Sequence, residues 1–244
     1  MESDETCKKA LRVQVSMREY VLIRSKRKSL ALHIRGGALE VRAPLIMPKK
    51  EIDKFVASKE KWIAGKLASS EKHAKSRKDF RLDYGSTVLY LGNEYPIEAK
   101  SGNRVGFDKS FFMPPGLSAD EIKSACVQIY RLLAKRELTS RALHFSKQLN
   151  VAPSAVKINN AKTRWGSCST RKSLNFSWRL VMSESDVVDY VVVHELAHLI
   201  EMNHSDKFWA IVESVLPDYP MRKKRLKELT RRLAGEDWEV HASS

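Results

Sequence analysis

The sequence predicts a mixed α+β fold, and three observations support this class. Residues 20–44 and 88–116 contain short apolar runs separated by glycine-containing turns, a pattern typical of strands. Residues 49–67 and 118–133 carry apolar side chains at helical spacing. A third extended stretch, residues 155–180, comes before a further helical pattern. Strands and helices therefore alternate in groups, as expected for an α+β protein.

The first group of elements is predicted to be a hairpin followed by a helix. Apolar and polar residues alternate up to Gly36-Gly37, and the alternation resumes after that tight turn. Pro48 stands where a first helical turn begins. The residues after it that recur at helical spacing are Ile52, Phe55, Val56, Trp62, Ile63 and Leu67.

The second group contains strands around Gly92-Asn93 and ends at Pro114-Pro115-Gly116. This Pro-Pro-Gly sequence is the predicted domain boundary, which gives an N-terminal α+β region, 1–117, and a C-terminal region, 118–244. Ser118 and Glu121 have the spacing of a capping box at the start of a long helix. We expect Ser183 or Ser185 to cap a later helix.

Composition limits the possible classes of protein. The chain has 244 residues, of which 43% are hydrophobic and 30% charged, so it is globular rather than fibrous or disordered. No apolar run approaches the ~18 residues of a membrane span, and the polar N-terminus does not resemble a signal peptide. The three cysteines, Cys7, Cys126 and Cys168, are expected to be reduced thiols in a cytoplasmic protein.

The charge balance is strongly basic, with 44 Lys and Arg against 29 Asp and Glu and a net charge of +15. Three basic runs carry much of this excess: residues 24–28, 72–78 and 222–232. Such runs are usually solvated faces, but together they would attract phosphate groups. Few aromatic residues lie among them, so stacking on bases is not indicated. Nucleic acid therefore remains a possible partner.

The segment that carries chemistry is residues 189–204. His194 and His198 are four residues apart, so on a helix both imidazoles project from one face and can bind a single Zn²⁺. His204 is the expected third ligand, because Asn203 can end the helix in the left-handed conformation and turn the chain back. Three ligands leave a position open for water, and Glu195 is placed to take a proton from it.

Several alternatives remain open at this point. The zinc could be structural, with Glu195 an ordinary helix residue, and Cys168 could close the site as a fourth ligand. Arg164 could stabilise an oxyanion, and Tyr190 could polarise a carbonyl or simply pack in the core. Trp165, Phe208 and Trp209 are expected to be core residues, with Gly166 at a bulge.

Four segments carry a resemblance to a known family: RWGSCS (164–169), LNFSWRL (174–180), DYVVVHELAHL (189–199) and NHSDKFW (203–209). Through these segments, the chain resembles the YgjP-like metallopeptidases, a branch of the zincins. The same C-terminal segments are similar to those of the SprT-like and Wss-like proteases that degrade proteins crosslinked to DNA. The resemblance implies His194, His198 and His204 as zinc ligands and Glu195 as the catalytic glutamate. It also implies a zincin-like catalytic core in residues 118–244, in which the HExxH helix packs on a small mixed sheet.

The expected function is therefore zinc-dependent hydrolysis of peptide bonds in a peptide or protein substrate, with Glu195 as general base. The alternative is a nucleic-acid-associated protein, either a repair protease tethered to DNA or a binder whose zinc is only structural. No membrane partner is expected.

Overall fold

The computed structural model describes the backbone of residues 10–15 and 18–240 and the side chains of residues 19–240. Cys7 and its expected thiol state therefore lie outside the described residues. The chain divides into two compact units, residues 1–79 and 80–244. Each unit has a hydrophobic core of its own.

The first unit contains a four-stranded sheet and two helices. Its elements are β1 (Ala10–Val15), β2 (Arg18–Ser25), β3 (Ala31–Arg35), β4 (Ala38–Pro44), α1 (Lys49–Ser58) and α2 (Glu60–Asp79). The strand order is β1-β2-β4-β3; β2 and β4 run parallel, and the other pairs are antiparallel. Gly36 and Gly37 join β3 to β4 with φ of 55° and 78°, so the tight-hairpin prediction is confirmed.

The core of the first unit lies between one face of this sheet and the two helices. Pro48 precedes α1, as the sequence predicts. The hydroxyl of the buried Tyr20 donates a 2.6 Å hydrogen bond to Asp53 and so joins β2 to α1. The buried side chains are Tyr20, Leu22, Leu39, Val41, Ala43, Ile52, Val56 and Ile63.

The second unit begins with a four-stranded sheet of order β5-β6-β8-β7. Its strands are β5 (Thr87–Tyr90), β6 (Asn93–Ala99), β7 (Gly106–Phe107) and β8 (Phe111–Met113). The buried side chains of this sheet belong to the same core as the long helix α3 (Ala119–Gln148). Residues 80–117, which the sequence assigns to the N-terminal region, thus share their core with the residues that follow the Pro-Pro-Gly.

Helix α3 begins as predicted, because Ser118 and Glu121 form a complete capping box. A small mixed sheet of order β10-β11-β9 follows, in which β10 and β11 are antiparallel and β11 and β9 parallel. The remaining elements are β9 (Ala155–Asn159), β10 (Gly166–Cys168), β11 (Ser173–Ser177), a 3₁₀ helix (Trp178–Met182), α4 (Ser185–Ala197), α5 (Asp206–Val215) and α6 (Tyr219–Leu233).

Helix α4 carries the HExxH sequence and contacts β10, α3, α5 and α6. The predicted fold class is therefore confirmed: an α+β chain in which this helix packs on a small mixed sheet, preceded by a hairpin and helices. The prediction of its N-cap is wrong. Glu184 occupies that position without a side-chain cap, since Ser185 is already the first helical residue.

Ion pairs attach α4 to its neighbours. The Arg141 guanidinium of α3 pairs with Asp189 and donates to the carbonyl and hydroxyl of Ser185. Arg222 and Arg225 of α6 both bond to Asp186. These two arginines belong to a run that the sequence indicates as a solvated face, so part of that run is structural. Among the described residues, no helix has the length and apolar content needed to cross a membrane.

Candidate metal centre

Three histidines converge at the end of α4. His194 lies within the helix, His198 is its C-cap, and His204 stands two residues before α5. One ring nitrogen from each lies within 4.8 Å of the others, and the Nε2 atoms of His194 and His204 are 3.1 Å apart. The structure thus brings together the three residues that the sequence indicates as ligands.

The spacing suits a shared metal ion. Two nitrogens held ~2.0–2.1 Å from one tetrahedral zinc would be about 3.3 Å apart. The observed Nε2 separation of 3.1 Å for His194 and His204 is close to this value. The same separation also suits a hydrogen bond in which one of the two nitrogens carries a proton, and a shared cation would take the place of that proton.

Two local features hold His204 in place. Helix α4 ends at Ala197, and the hydroxyl of Ser205 then accepts from the backbone N–H of Phe208 to cap α5. His204 therefore precedes a fixed helix start. The expectation that Asn203 ends α4 in the left-handed conformation is wrong, since Asn203 is not among the described residues with positive φ.

The ring environment favours neutral imidazoles, the form that binds metals. Burial, and then the neighbouring His198 and His204, lower the pKa of His194 to about 3. Burial likewise lowers the pKa of His198. Nδ1 of His198 lies 3.2 Å from the carbonyl oxygen of Glu201, which can only accept. Nδ1 therefore carries the proton in that bond, and Nε2 keeps its lone pair.

Aromatic side chains surround the histidines. The Phe208 ring is fully buried, with its centroid 4.5 Å from that of His198 and 4.9 Å from that of His194. The Trp209 ring stacks on His204, with centroids 5.8 Å apart, and on Tyr219 of α6, with centroids 5.2 Å apart. The expectation that Phe208 is a core residue is confirmed, while Trp209 is half-buried. These rings limit the rotation of the imidazoles; His194 and His198 are half-buried, while His204 is exposed.

Glu195 is the one acidic side chain buried on α4, with 6% of its surface exposed. Burial raises the pKa of its carboxyl to about 7. Among the described residues, Glu195 forms no ion pair or hydrogen bond that would occupy its carboxylate. Strand β10 passes directly against it at Gly166. The carboxyl group is therefore held against β10 and is free to exchange a proton.

The other residues for which the sequence left a role in the site open lie in different environments. Cys168 is not part of the histidine cluster, and its thiol lies 3.6 Å from the Ser169 carbonyl. Arg164 is exposed before β10. Trp165 is half-buried and donates from Nε1 to the Thr230 hydroxyl at 3.2 Å. The ring of Tyr190 is buried and packs on His194 and Tyr219, as expected for a packing residue.

Two residues near the site were not indicated by the sequence patterns. Gly166 makes the close approach to Glu195, although the sequence predicts only a bulge there. Lys223 of α6 lies with Nζ 4.5 Å from the Trp209 ring centroid and contributes to the lowered pKa of His194. Lys223 follows Tyr219 by four residues, so both lie on one face of α6. This spacing was the sequence pattern that could have indicated Lys223 as a neighbour of the site.

Three converging histidines at the end of a helix that also carries a buried carboxylate, packed against a small mixed sheet, form the arrangement of a metallopeptidase. The family model described as YgjP-like, metallopeptidase domain, matches residues 28–229, and the chain belongs to this family. The resemblance seen in the sequence is therefore confirmed. The chain is a peptidase of the metal-dependent class, whose substrates are peptides or proteins.

Two solved structures are similar to part of the chain. The metallopeptidase zymogen of Pyrococcus abyssi abylysin is 23% identical with a TM-score of 0.36, over 41% of this chain and 97% of that chain. The metallopeptidase zymogen of Methanocaldococcus jannaschii jannalysin is 21% identical with a TM-score of 0.34, over 39% of this chain and 96% of that chain. No curated protein matches the chain.

Proposed function

We propose that the chain is a zinc-dependent peptidase in which His194, His198 and His204 hold the metal and Glu195 is the general base. The observation that carries the proposal is the convergence of three imidazole nitrogens within 4.8 Å of one another. The helix that carries two of these histidines also carries the buried Glu195, whose carboxylate has no partner among the described residues. A structural zinc site would be closed by a fourth protein ligand, and Cys168 does not belong to the cluster.

Zinc suits this donor set. Imidazole nitrogens are borderline ligands that zinc accepts in tetrahedral geometry, and three of them leave one position for water or substrate. When bound, zinc would lower the pKa of a water molecule toward ~7 and polarise the scissile carbonyl. The lowered pKa values of His194 and His198 keep both rings unprotonated at neutral pH, so no proton has to be displaced from them.

The role proposed for Glu195 is to move one proton. Its carboxylate accepts a proton from the attacking water while the water oxygen forms a bond to the carbonyl carbon. It then gives that proton to the amine nitrogen as the carbon–nitrogen bond breaks. The backbone of β10 at Gly166 packs against the carboxylate and limits its movement, and the rings of Phe208 and Trp209 limit the rotation of the histidines.

The test of the general base is Glu195→Gln, which keeps the shape of the side chain and removes its basicity. Peptide hydrolysis, measured on an unbiased peptide library, should fall by about 10²–10⁴-fold. The zinc content by elemental analysis should stay at the wild-type value. Full activity with zinc still bound would contradict the assignment.

The test of the third ligand is His204→Ala, for which we expect weaker zinc binding in a competition titration with a chelator. Cys168→Ala is the matched control, because Cys168 lies in the adjacent strand but outside the histidine cluster. Zinc affinity that is unchanged in His204→Ala would show that His204 is not a ligand.

A nucleic-acid-associated role is the second candidate, and the distribution of charge is the observation that favours it. Residues 1–79 carry 20 Lys and Arg against 10 Asp and Glu, so one third of the chain holds two thirds of its net charge. Association with DNA should then weaken steeply as salt rises. Binding titrations at several salt concentrations, with peptide hydrolysis followed in parallel, test this role. An absence of binding at low salt would exclude it.

A further inference from the structure

The edge of the sheet in the first unit has backbone groups that can still be paired. Among the described residues, β3 pairs with β4 alone, so its other side is a sheet edge. The turn at Gly36-Gly37 makes Arg35 and Ala38 a hydrogen-bonded pair, and such pairs alternate along an antiparallel ladder. The N–H and C=O groups of Leu32 and Ile34 therefore point away from β4, toward the edge.

An apolar groove runs beside this edge. Leu30, Ala31 and Leu32 form one wall, while Phe55, Lys59 and Trp62 of the helical layer form the other. The groove encloses about 360 Å³. Trp62 lines it with 45% of its surface exposed, so its ring offers apolar area to an incoming side chain. A free sheet edge next to an apolar groove is the geometry in which other domains bind a peptide as an added strand.

We propose that this edge and groove bind an extended protein segment that adds to β3 as a further strand, with an apolar side chain in the groove and acidic residues on either side. The backbone groups of Leu32 and Ile34 provide the pairing, and Trp62 provides apolar contact area. If the chain is the peptidase proposed above, the bound segment would belong to its protein substrate, and this part of the inference rests on the proposed function. Binding of the segment to β3 does not depend on cleavage.

Charge selects the occupant. Lys59 lines the groove, Lys66 lies with Nζ 6.0 Å from the Trp62 ring centroid, and Arg35 is exposed at the end of β3. A second copy of this chain would bring the same cations against them and would be repelled. An acidic segment meets complementary charge instead, which increases the association rate as well as the affinity.

Direct binding tests the proposal without any cleavage. The probe is a fluorescent peptide of alternating valine and threonine with glutamates at both ends, titrated by anisotropy into the metal-free full chain. The same peptide with alternate backbone nitrogens methylated cannot form the strand ladder. We expect it to bind at least about tenfold more weakly, and a version with lysines in place of the glutamates to lose most of its affinity.

The matched variants are Trp62→Ala in the groove and Ile46→Ala outside it, where Ile46 is 94% exposed in the same unit. Trp62→Ala should weaken peptide binding about tenfold, and Ile46→Ala should leave it unchanged. Equal binding of the methylated and unmethylated peptides, or no effect of Trp62→Ala, would overturn the proposal. So would displacement of the peptide by duplex DNA, or self-association that Trp62→Ala abolishes. Peptide binding by a chain that cleaves nothing would support docking and refute only the peptidase mechanism.

Discussion

Gly166 of β10 lies directly against the carboxylate of Glu195: a Cβ at position 166 would come 2.6 Å from both Cγ and Oε1 of that side chain. The two residues belong to different elements, and their close approach is part of the contact between β10 and α4. The φ angle of Gly166 is not positive, so the absence of a side chain serves the close approach rather than an unusual backbone conformation.

Replacement of Gly166 by alanine should therefore displace Glu195. Because a shift of about 1 Å in a catalytic group can reduce the rate 10²-fold, we expect kcat/KM for peptide hydrolysis to fall about 100-fold. Zinc content should not change, since the atoms nearest to a Cβ at position 166 belong to Glu195, which is not a proposed ligand. Gly65→Ala in α2 is the control, because a Cβ there would meet nothing within 4 Å. Normal activity in Gly166→Ala would show that Glu195 does not need its present position.

The sequence could indicate the histidines and Glu195 because their arrangement is local. Four-residue spacing on one helix fixes that His194 and His198 share a face, whatever the rest of the fold does. The role of Gly166 depends on how closely a strand approaches that helix, and Lys223 reaches the site from a helix that begins after it. Contacts of this kind are set by tertiary packing, which one sequence does not encode in a readable pattern.

In the fold, too, local features were predictable from the sequence and tertiary contacts were not. The hairpin at Gly36-Gly37 and the capping box at Ser118 were predictable, because each depends on a few neighbouring residues. In the sheet, β2 pairs in parallel with β4 rather than with β3, the next strand in the sequence. The alternation of apolar and polar residues does not predict this pairing. Likewise, the sequence Pro114-Pro115-Gly116 indicates a turn of the chain. It does not indicate which hydrophobic core the strands before it belong to. Those strands pack with α3, and the compact units divide at residue 79.

Arg141 is expected to stabilise α4, and with it the metal centre. Its guanidinium pairs with Asp189, whose side chain is 23% exposed, so Arg141→Met leaves a poorly solvated carboxylate without a partner. We expect the free energy of unfolding in urea to fall by about 1–3 kcal/mol, and zinc affinity to fall with it.

The control for this pair is Arg81→Met. Arg81 and Asp83 form an ion pair with side chains 68% and 53% exposed, and such pairs contribute at most about 1 kcal/mol. The double variant Arg141→Met with Asp189→Leu should recover part of the lost stability, because no unpaired charge remains. If both arginine variants unfold at the same urea concentration, the pair does not stabilise α4.

Tyr20 is expected to stabilise the first unit through its hydroxyl. It donates to Asp53, which also accepts from Lys49 at 2.7 Å, so one carboxylate joins the sheet to α1. Tyr20→Phe should lower the free energy of unfolding by about 1 kcal/mol, the usual net value of such a hydrogen bond. Tyr95→Phe is the control, since its hydroxyl has no hydrogen-bond partner among the described residues. Equal effects of the two variants would mean that the bond to Asp53 adds nothing.

Glu236 should make the stability of the second unit depend on pH. Burial raises the pKa of its carboxyl above the ordinary value, although Nε1 of Trp238 donates to it at 2.6 Å. The unfolded chain then loses this proton first, near pH ~4.3, while the folded chain still holds it. Stability from this group is therefore fully present in acid and declines as pH rises above that value, until the folded carboxyl also ionises.

The variant Glu236→Gln separates this contribution from the rest of the acid titration. The amide oxygen can still accept from Trp238, and no proton is lost as the pH rises. We expect the free energy of unfolding of Glu236→Gln, relative to wild type, to increase between pH 4 and pH 7, measured by urea unfolding at each pH. Glu98→Gln, at an exposed glutamate in the same unit, controls for the removal of one negative charge. A difference between Glu236→Gln and wild type that stays constant over this range would mean that Glu236 titrates alike in the folded and unfolded chains.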